Sequence, residues 1–482
     1  MSVKKPSFIS SCFLVAFIIA FLGISILYYG VAPQIPIVFS GIIVALYGLT
    51  IGFSWKELEQ GMVRGIVSGI PSIIILCLIG MLIGVWILSG TVPTLTYYSL
   101  SIISPTFFLF VSVLISAVVA IFTGSSWSAI STVGVALMGT AYGLNISPAL
   151  TAGAIVSGAI FGDKMSPLSD TTNLASATAK VNIFEHIKYM MWTTIPSLLI
   201  TLLIFAVIGF SSVNELTANN VSNIMATLKE HFFISPITLL SPLLIIVLAV
   251  YRVSPIPSLV IGLLTAIITA FFTVPNVTLG NMMATAHFGF TANTGVEEVD
   301  KLLTLGGLSS MMFGVSLILL ALSFGGIIQK VGIPEAIING LKRYLVKRGN
   351  VILTTVMSCA GINVAVGEQY LSIVLPGQLL ESSYKKVGLH PKVLSRTLED
   401  AGTITHPLVP WGVTGAFIMT TLGVGPTYIP FVFISFITPI IAVIYGYMNV
   451  KLAELPQVEE KIEASSFEHN LVSYELKSTG MK

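Results

Sequence analysis

The chain has 482 residues, 55% of them hydrophobic and only 9% charged, whereas a soluble domain carries about a quarter charged residues, so water is not its main solvent. Apolar runs of about 20 residues recur from end to end, which makes the length a count of membrane spans and leaves no separate soluble domain. A net charge of +2, with basic residues dispersed among short loops, excludes a nucleic-acid-binding surface.

The first apolar run, Phe8 to Tyr29, follows Lys4 and Lys5, exceeds a signal-peptide core in length and lacks a small-residue cleavage site, so it reads as a retained helix. Runs at 34–52 and 68–90 follow, and the connection between them, carrying Lys56, Glu57, Glu59 and Arg64, is assigned to the cytoplasm by the bias of Lys and Arg. From Gly65 to Gly162 there is no Asp, Glu, Lys or Arg. Lys180, Glu185 and Lys188 mark the next basic connection, a span at 189–210 follows, and the polar stretch 211–234 reads as an external linker. Spans at 235–251 and 256–273 flank a cytoplasmic Arg252, an external segment runs from Asn276 to about Leu308, and a span at 309–328 returns to Lys330. Cys12, Cys77 and Cys359 lie in apolar stretches without metal-ligand spacing and read as small core residues.

Val351 to Leu380 is flanked on both sides by cytoplasmic-type basic clusters, Lys342 to Arg348 and Lys385 to Arg396. Two full spans need about 40 residues and this stretch has roughly 30, so a re-entrant helical hairpin turning near Asn363 to Gln369 fits better. Residues 106–144 form a matching hairpin with its turn at Thr123-Gly124-Ser125-Ser126. The segment from Gly124 to Ile130 aligns with that from Gly367 to Ile373: glycine, two polar residues, an aromatic, then a small residue and isoleucine. Each hairpin precedes a span interrupted by proline, at Ser166-Pro167-Leu168 and His406-Pro407-Leu408. The fold class is therefore an all-α polytopic membrane protein with two inverted repeats, 1–210 and 235–450, each with three spans, a re-entrant hairpin, a broken span and a closing span. A polar tail, 451–482, is expected to be disordered, and both termini to be cytoplasmic.

Chemistry concentrates at the interruptions. Residues 162–173 read Gly-Asp-Lys-Met-Ser-Pro-Leu-Ser-Asp-Thr-Thr-Asn inside an otherwise apolar stretch. Pro167 frees backbone carbonyls, and Ser166, Thr171 and Asn173 add the oxygens that a small, hard cation needs. Asp163 and Asp170 are costly in hydrocarbon unless paired, protonated or occupied by a cation. Lys164 offers a plain alternative, a structural ion pair with Asp163, and Asp170 another, a cap on the following half-helix. Glu368 at the second turn reads either as a site carboxylate or as a solvated loop residue. Glu399 and Asp400, close to Arg396, read as belonging to the cytoplasmic boundary and rank below it. His406 suits proton exchange near neutrality, or a buried neutral role bonded to a backbone carbonyl. Thr123, Ser125, Ser126 and Ser128 at one turn and Asn363 and Gln369 at the other can complete a coordination shell, or merely join helices.

The run Gly-Ala-Ile-Phe-Gly-Asp-Lys-Met-Ser-Pro-Leu-Ser-Asp-Thr-Thr-Asn-Leu-Ala-Ser-Ala at 158–177 closely resembles the NhaC family of sodium/proton antiporters. Glu368 to Gly377, Leu398-Glu399-Asp400, Thr403, Pro407-Leu408 and Pro410-Trp411 are also family-like, so the likeness spans both halves. The resemblance implies secondary active exchange of sodium for protons in a bacterial inner membrane and kinship with a broader ion-transporter superfamily. It implies cation-linked roles for Asp163, Ser166, Asp170, Thr171 and Asn173. His406 departs from the small polar residue expected in many relatives, which keeps open a carboxylate exchanger of the malate/lactate type, also represented in the family. The expectation is a transporter, not an enzyme, whose partners are lipid, sodium and protons, with a small carboxylate as the alternative cargo and no organic cofactor. A homodimer is left open. A channel ranks lower, and an intramembrane hydrolase lower still, since no nucleophile or metal motif supports one.

Overall fold

The computed structural model describes residues 5–211 and 217–455; the rest of the expected tail, 456–482, and residues 212–216 of the expected linker lie outside them. Among the described residues, twenty-two α-helices follow one another. The first three are α1 (Phe8–Gly23), α2 (Gln34–Thr50) and α3 (Trp55–Leu88). A short α4 (Thr91–Ile102) leads to α5 (Phe108–Thr123), α6 (Ser126–Ala129) and α7 (Val135–Gly143), then to α8 (Pro148–Met165), α9 (Asp170–Thr178) and α10 (Ile183–Ser211). Next come α11 (Thr217–His231), α12 (Leu240–Val250), α13 (Pro255–Thr273), α14 (Leu279–Phe288), α15 (Glu297–Leu303) and α16 (Met312–Val331). The chain ends with α17 (Ile333–Leu341), α18 (Arg348–Val366), α19 (Gln369–Lys386), α20 (Pro391–Leu398), α21 (Val413–Leu422) and α22 (Phe433–Met448).

Among the described residues, seven helices are long and apolar enough to cross a membrane, or eight if a pair bent by 89° counts as one span. Their outward faces keep large apolar side chains exposed, such as Phe13 and Phe17 on α1, Leu199 and Leu203 on α10, and Leu264 and Ile268 on α13. In water that would be an unpaid exposure of apolar surface; against lipid it is the expected outer face.

One expected boundary moves. The basic connection at Lys56 to Arg64 is already helix: Ser54 caps α3, its hydroxyl accepting from the Glu57 amide at 3.3 Å while the Glu57 carboxylate accepts from the Ser54 amide at 2.8 Å. Hydropathy marks only the apolar part of a helix, whereas a capping box marks its start. At about 51 Å for 34 residues, α3 outruns a hydrocarbon core of about 30 Å. The segment expected to be external, 276–308, contains α14 and α15.

Close helix packing is set by small residues. On α8, a Cβ at Gly158 would stand 2.1 Å from the Val113 carbonyl oxygen and one at Gly162 2.2 Å from that of Ala117, so α5 and α8 meet backbone to backbone. On α3, a Cβ at Gly65 would stand 2.1 Å from the Leu322 carbonyl oxygen of α16. These contacts position the two turns and the two broken helices at the centre of the bundle.

Candidate functional site

Both turns are built alike. Gly124 ends α5 and Gly367 ends α18, at φ +64° and +72°, a conformation that disfavours any side chain. The next residue then caps the return arm: the Ser125 hydroxyl accepts from the Ser128 amide, and the Glu368 carboxylate accepts from the amides of Tyr370 and Leu371 at 3.1 and 2.7 Å. The return arm of the first turn continues from α6 through a π-helical stretch, Ile130–Gly134, into α7.

The first broken span parts after Met165. Its freed carbonyls are taken by side chains: the Thr172 hydroxyl donates to Lys164 O, and the Asn173 amide donates to Pro167 O and Ser169 O. Ser169, not Asp170, caps α9; Asp170 is the first helical residue, accepting from the Thr171 amide at 2.9 Å. The second broken span passes through a π-helical turn, Glu399–Thr403, and a 3-10 turn, His406–Leu408, before α21. There the His406 Nε2–H donates to Gly367 O at 3.2 Å and Nδ1 lies 2.7 Å from the Thr414 hydroxyl, a pattern that suits a neutral ring.

These four interruptions border one cavity of about 620 Å³, lined by Ser125, Ser126, Trp127 and Ser128, by Asp163, Asp170 and Thr171, by Glu368, Gln369 and Tyr370, and by His406 and Thr414. Asp163 is buried. Its Oδ2 accepts from the Ser126 amide at 3.0 Å and the Ser126 hydroxyl at 2.7 Å, while Oδ1 is without a close hydrogen-bond partner among the described residues, the Ser169 hydroxyl lying nearby. Asp170 is bonded through its second oxygen to the Tyr370 hydroxyl, which joins the second turn to the first broken span. The Trp127 ring stacks on Phe417 of α21 at 4.0 Å, which joins the first turn to the second broken span.

Not every candidate faces this space. Ser166 spends its hydroxyl on Ile121 O, and Asn363 donates to Gly402 O and the Thr405 hydroxyl of the second broken span. Thr123 and Asn173 border an adjoining cavity of about 430 Å³. The expected alternative of a Lys164–Asp163 pair is replaced by another: Lys164, fully buried, pairs with Asp400. Glu399 and Asp400, expected at the boundary, are also fully buried. Asp400 further accepts from the Thr193 hydroxyl at 2.9 Å and lies 3.8 Å from the Arg396 guanidinium, which is itself buried over the Tyr189 ring. The signal that pointed there was Lys164 itself, since an ammonium in an apolar run needs a counter-charge.

Lipid-facing helices around a buried polar cavity, entered by two helical turns and two broken helices, define a polytopic membrane protein with the build of a secondary transporter. The chain belongs to the Na+/H+ antiporter family, whose sequence profile matches residues 2–163 and 158–450. It is 44% identical over 459 residues to the Na(+)/H(+) antiporter NhaC of Alkalihalophilus pseudofirmus, covering 95% of this chain and 99% of that protein. It is 42% identical to the Na(+)/H(+) antiporter NhaC of Bacillus subtilis, over 93% of this chain and 99% of that one. The malate-2H(+)/Na(+)-lactate antiporter of Bacillus subtilis is 37% identical, over 86% of this chain and 89% of that one.

Proposed function

We infer that the protein exchanges sodium for protons across a bacterial inner membrane by alternating access, with Asp163 and Asp170 as the cation-binding carboxylates. The observation that carries this reading is the buried Asp163 carboxylate, one oxygen without a close partner among the described residues, beside the hydroxyls of a helical turn in a shared cavity. A hard cation takes oxygen ligands, and Ser125, Ser126 and Thr171 border the same space. Ser166, Asn173 and Asn363 hold the turns and breaks around it, and Glu368 caps a half-helix aimed into it. The exchange so read needs no cofactor.

The like construction of the two turns supports two inverted repeats, 1–210 and 235–450, each with a re-entrant hairpin; the Lys and Arg bias then sets both termini in the cytoplasm. A second cavity, of about 740 Å³, reaches Pro410 and Met419, so the broken segment around Val413 stands between two spaces. Such a partition is what alternating access requires. A channel would need one continuous path.

A carboxylate exchanger is the second reading. A cavity of about 620 Å³ that also holds His406 and Tyr370 exceeds what a bare ion needs, and one 37% identical relative is a malate/lactate antiporter. The test is sodium-dependent proton movement in proteoliposomes with a pH-sensitive dye, for the unmodified protein, Asp163→Asn, Asp170→Asn and Glu368→Gln, with and without malate and lactate. Sodium alone should discharge the pH gradient, and Asp163→Asn should abolish that. Movement only when an organic acid is added would put the carboxylate exchanger first.

A further inference from the structure

Glu399 is a buried acid outside the cavity. It opens the π-helical turn of the second broken span, a type of local widening that recurs at functional sites. No surface of it is exposed, and the Thr403 hydroxyl of the same turn is the hydrogen-bonding group beside its carboxylate. Lys164 and Asp163 of α8 face it, as do Asp400 of its own turn and Cys359 of α18. Arg396 lies one turn back, Tyr384 of α19 is bonded to Thr355, and His186 of α10 is bonded to Ser395.

Charge balance decides what this group does. Within the buried cluster Lys164 and Arg396 supply two positive charges, and Asp163, Asp400 and Glu399 supply three negative ones when all are ionised; Asp170, exposed in the cavity, is counted apart from it. Asp400 already has Lys164 as its ion-pair partner and accepts from the Thr193 hydroxyl. One uncompensated anion in a dry interior is strongly unfavourable, so the cluster calls for one more cation. Sodium can bring it to Asp163 from the cavity. A proton on Glu399, which lines neither the cavity of about 620 Å³ nor the adjoining one, does the same.

We propose that the proton exchanged for sodium is held on Glu399, apart from the sodium ligands, and that the two ions exclude each other through the charge balance of this buried cluster. This rests on the sodium/proton reading above. Sodium arriving at Asp163 leaves the cluster one charge positive; the Glu399 O–H bond then breaks, its electron pair stays on the carboxylate, and the proton goes to water on the side then open. Sodium release reverses the step. The two cargoes thus share no ligand.

The test pairs two fluxes in proteoliposomes: counterflow of radioactive sodium against sodium, which needs no proton, and sodium-driven proton movement. Glu399→Gln should keep counterflow, with half-saturating sodium raised about tenfold and made independent of pH, and should lose proton movement. Glu399→Asp, which retains an acid, should restore proton movement with a displaced pH profile. Proton movement and pH dependence unchanged in Glu399→Gln would overturn the proposal and leave the sodium/proton reading standing. Loss of both fluxes in both variants would assign Glu399 to structure and overturn it as well. An unmodified protein that moves no protons in response to sodium fails the underlying reading instead.

Discussion

The Lys164–Asp400 pair ties the first broken span to the second across 236 residues of sequence, and its removal one side at a time should be unequal. Asp400 has three partners, Lys164, Thr193 and Arg396; Lys164 has one ion-pair partner among the described residues. Lys164→Met therefore leaves Asp400 with the Arg396 charge at 3.8 Å and the Thr193 hydroxyl, a cost near the lower end of the about 3–5 kcal/mol expected for orphaning a buried ion. Asp400→Asn leaves two buried cations, Lys164 and Arg396, without their shared counter-charge and belongs at the upper end. Replacing both, Lys164→Met with Asp400→Leu, removes the Lys164 pair but leaves Arg396 on the Lys451 carbonyl and the Tyr189 ring, so it should recover part of the loss. Unfolding midpoints in detergent for the four proteins give the coupling energy directly, expected at 1–3 kcal/mol by order of magnitude. Strictly additive losses, or a Lys164→Met protein less stable than Asp400→Asn, would refute the argument.

Gly162→Val should push α8 off α5, since even a Cβ there would stand 2.2 Å from the Ala117 carbonyl oxygen; overpacking of about 1–3 kcal/mol and the loss of sodium-driven proton flux are expected in liposomes. Gly361→Ala on α18, where a Cβ meets nothing within 4 Å, is the matched control and should be neutral or slightly stabilising in the same thermal scan. Outside the spans, the Thr294 amide at 2.6 Å and hydroxyl at 2.8 Å hold the Asp300 carboxyl below the usual carboxylate range. A depressed value means that the contribution is present above the unfolded value of about 3.9 and is lost as pH falls through the lower, folded value. Hydrogen exchange at the Thr294 amide should stay slow from neutral pH down through about 4 and quicken only below it, and Asp300→Asn should make it fast throughout. Slow exchange in that variant would show that the loop closes without this carboxylate.

The sites of chain interruption were legible because each is a local event. A glycine between an apolar arm and a polar residue marks Gly124 and Gly367, whose positive φ few other residues adopt. The polar run around Pro167 breaks an apolar helix wherever that helix lies. Less legible were the side-chain partners. Asn173 and Ser166, read as sources of cation-binding oxygen, are occupied with the carbonyls that the break itself frees or leaves nearby.

The sequence by itself determined the solvent, the helical class and the positions of both turns and both breaks, since composition, run length and backbone conformational preference act over a few residues. Only the tertiary structure decided that Lys164 pairs with Asp400, that Glu399 is sealed from solvent and that Tyr370 reaches Asp170. Those depend on helices hundreds of residues apart being packed through small residues to backbone contact, and a charged side chain near Arg396 looks the same in sequence at a membrane boundary as in a dry interior.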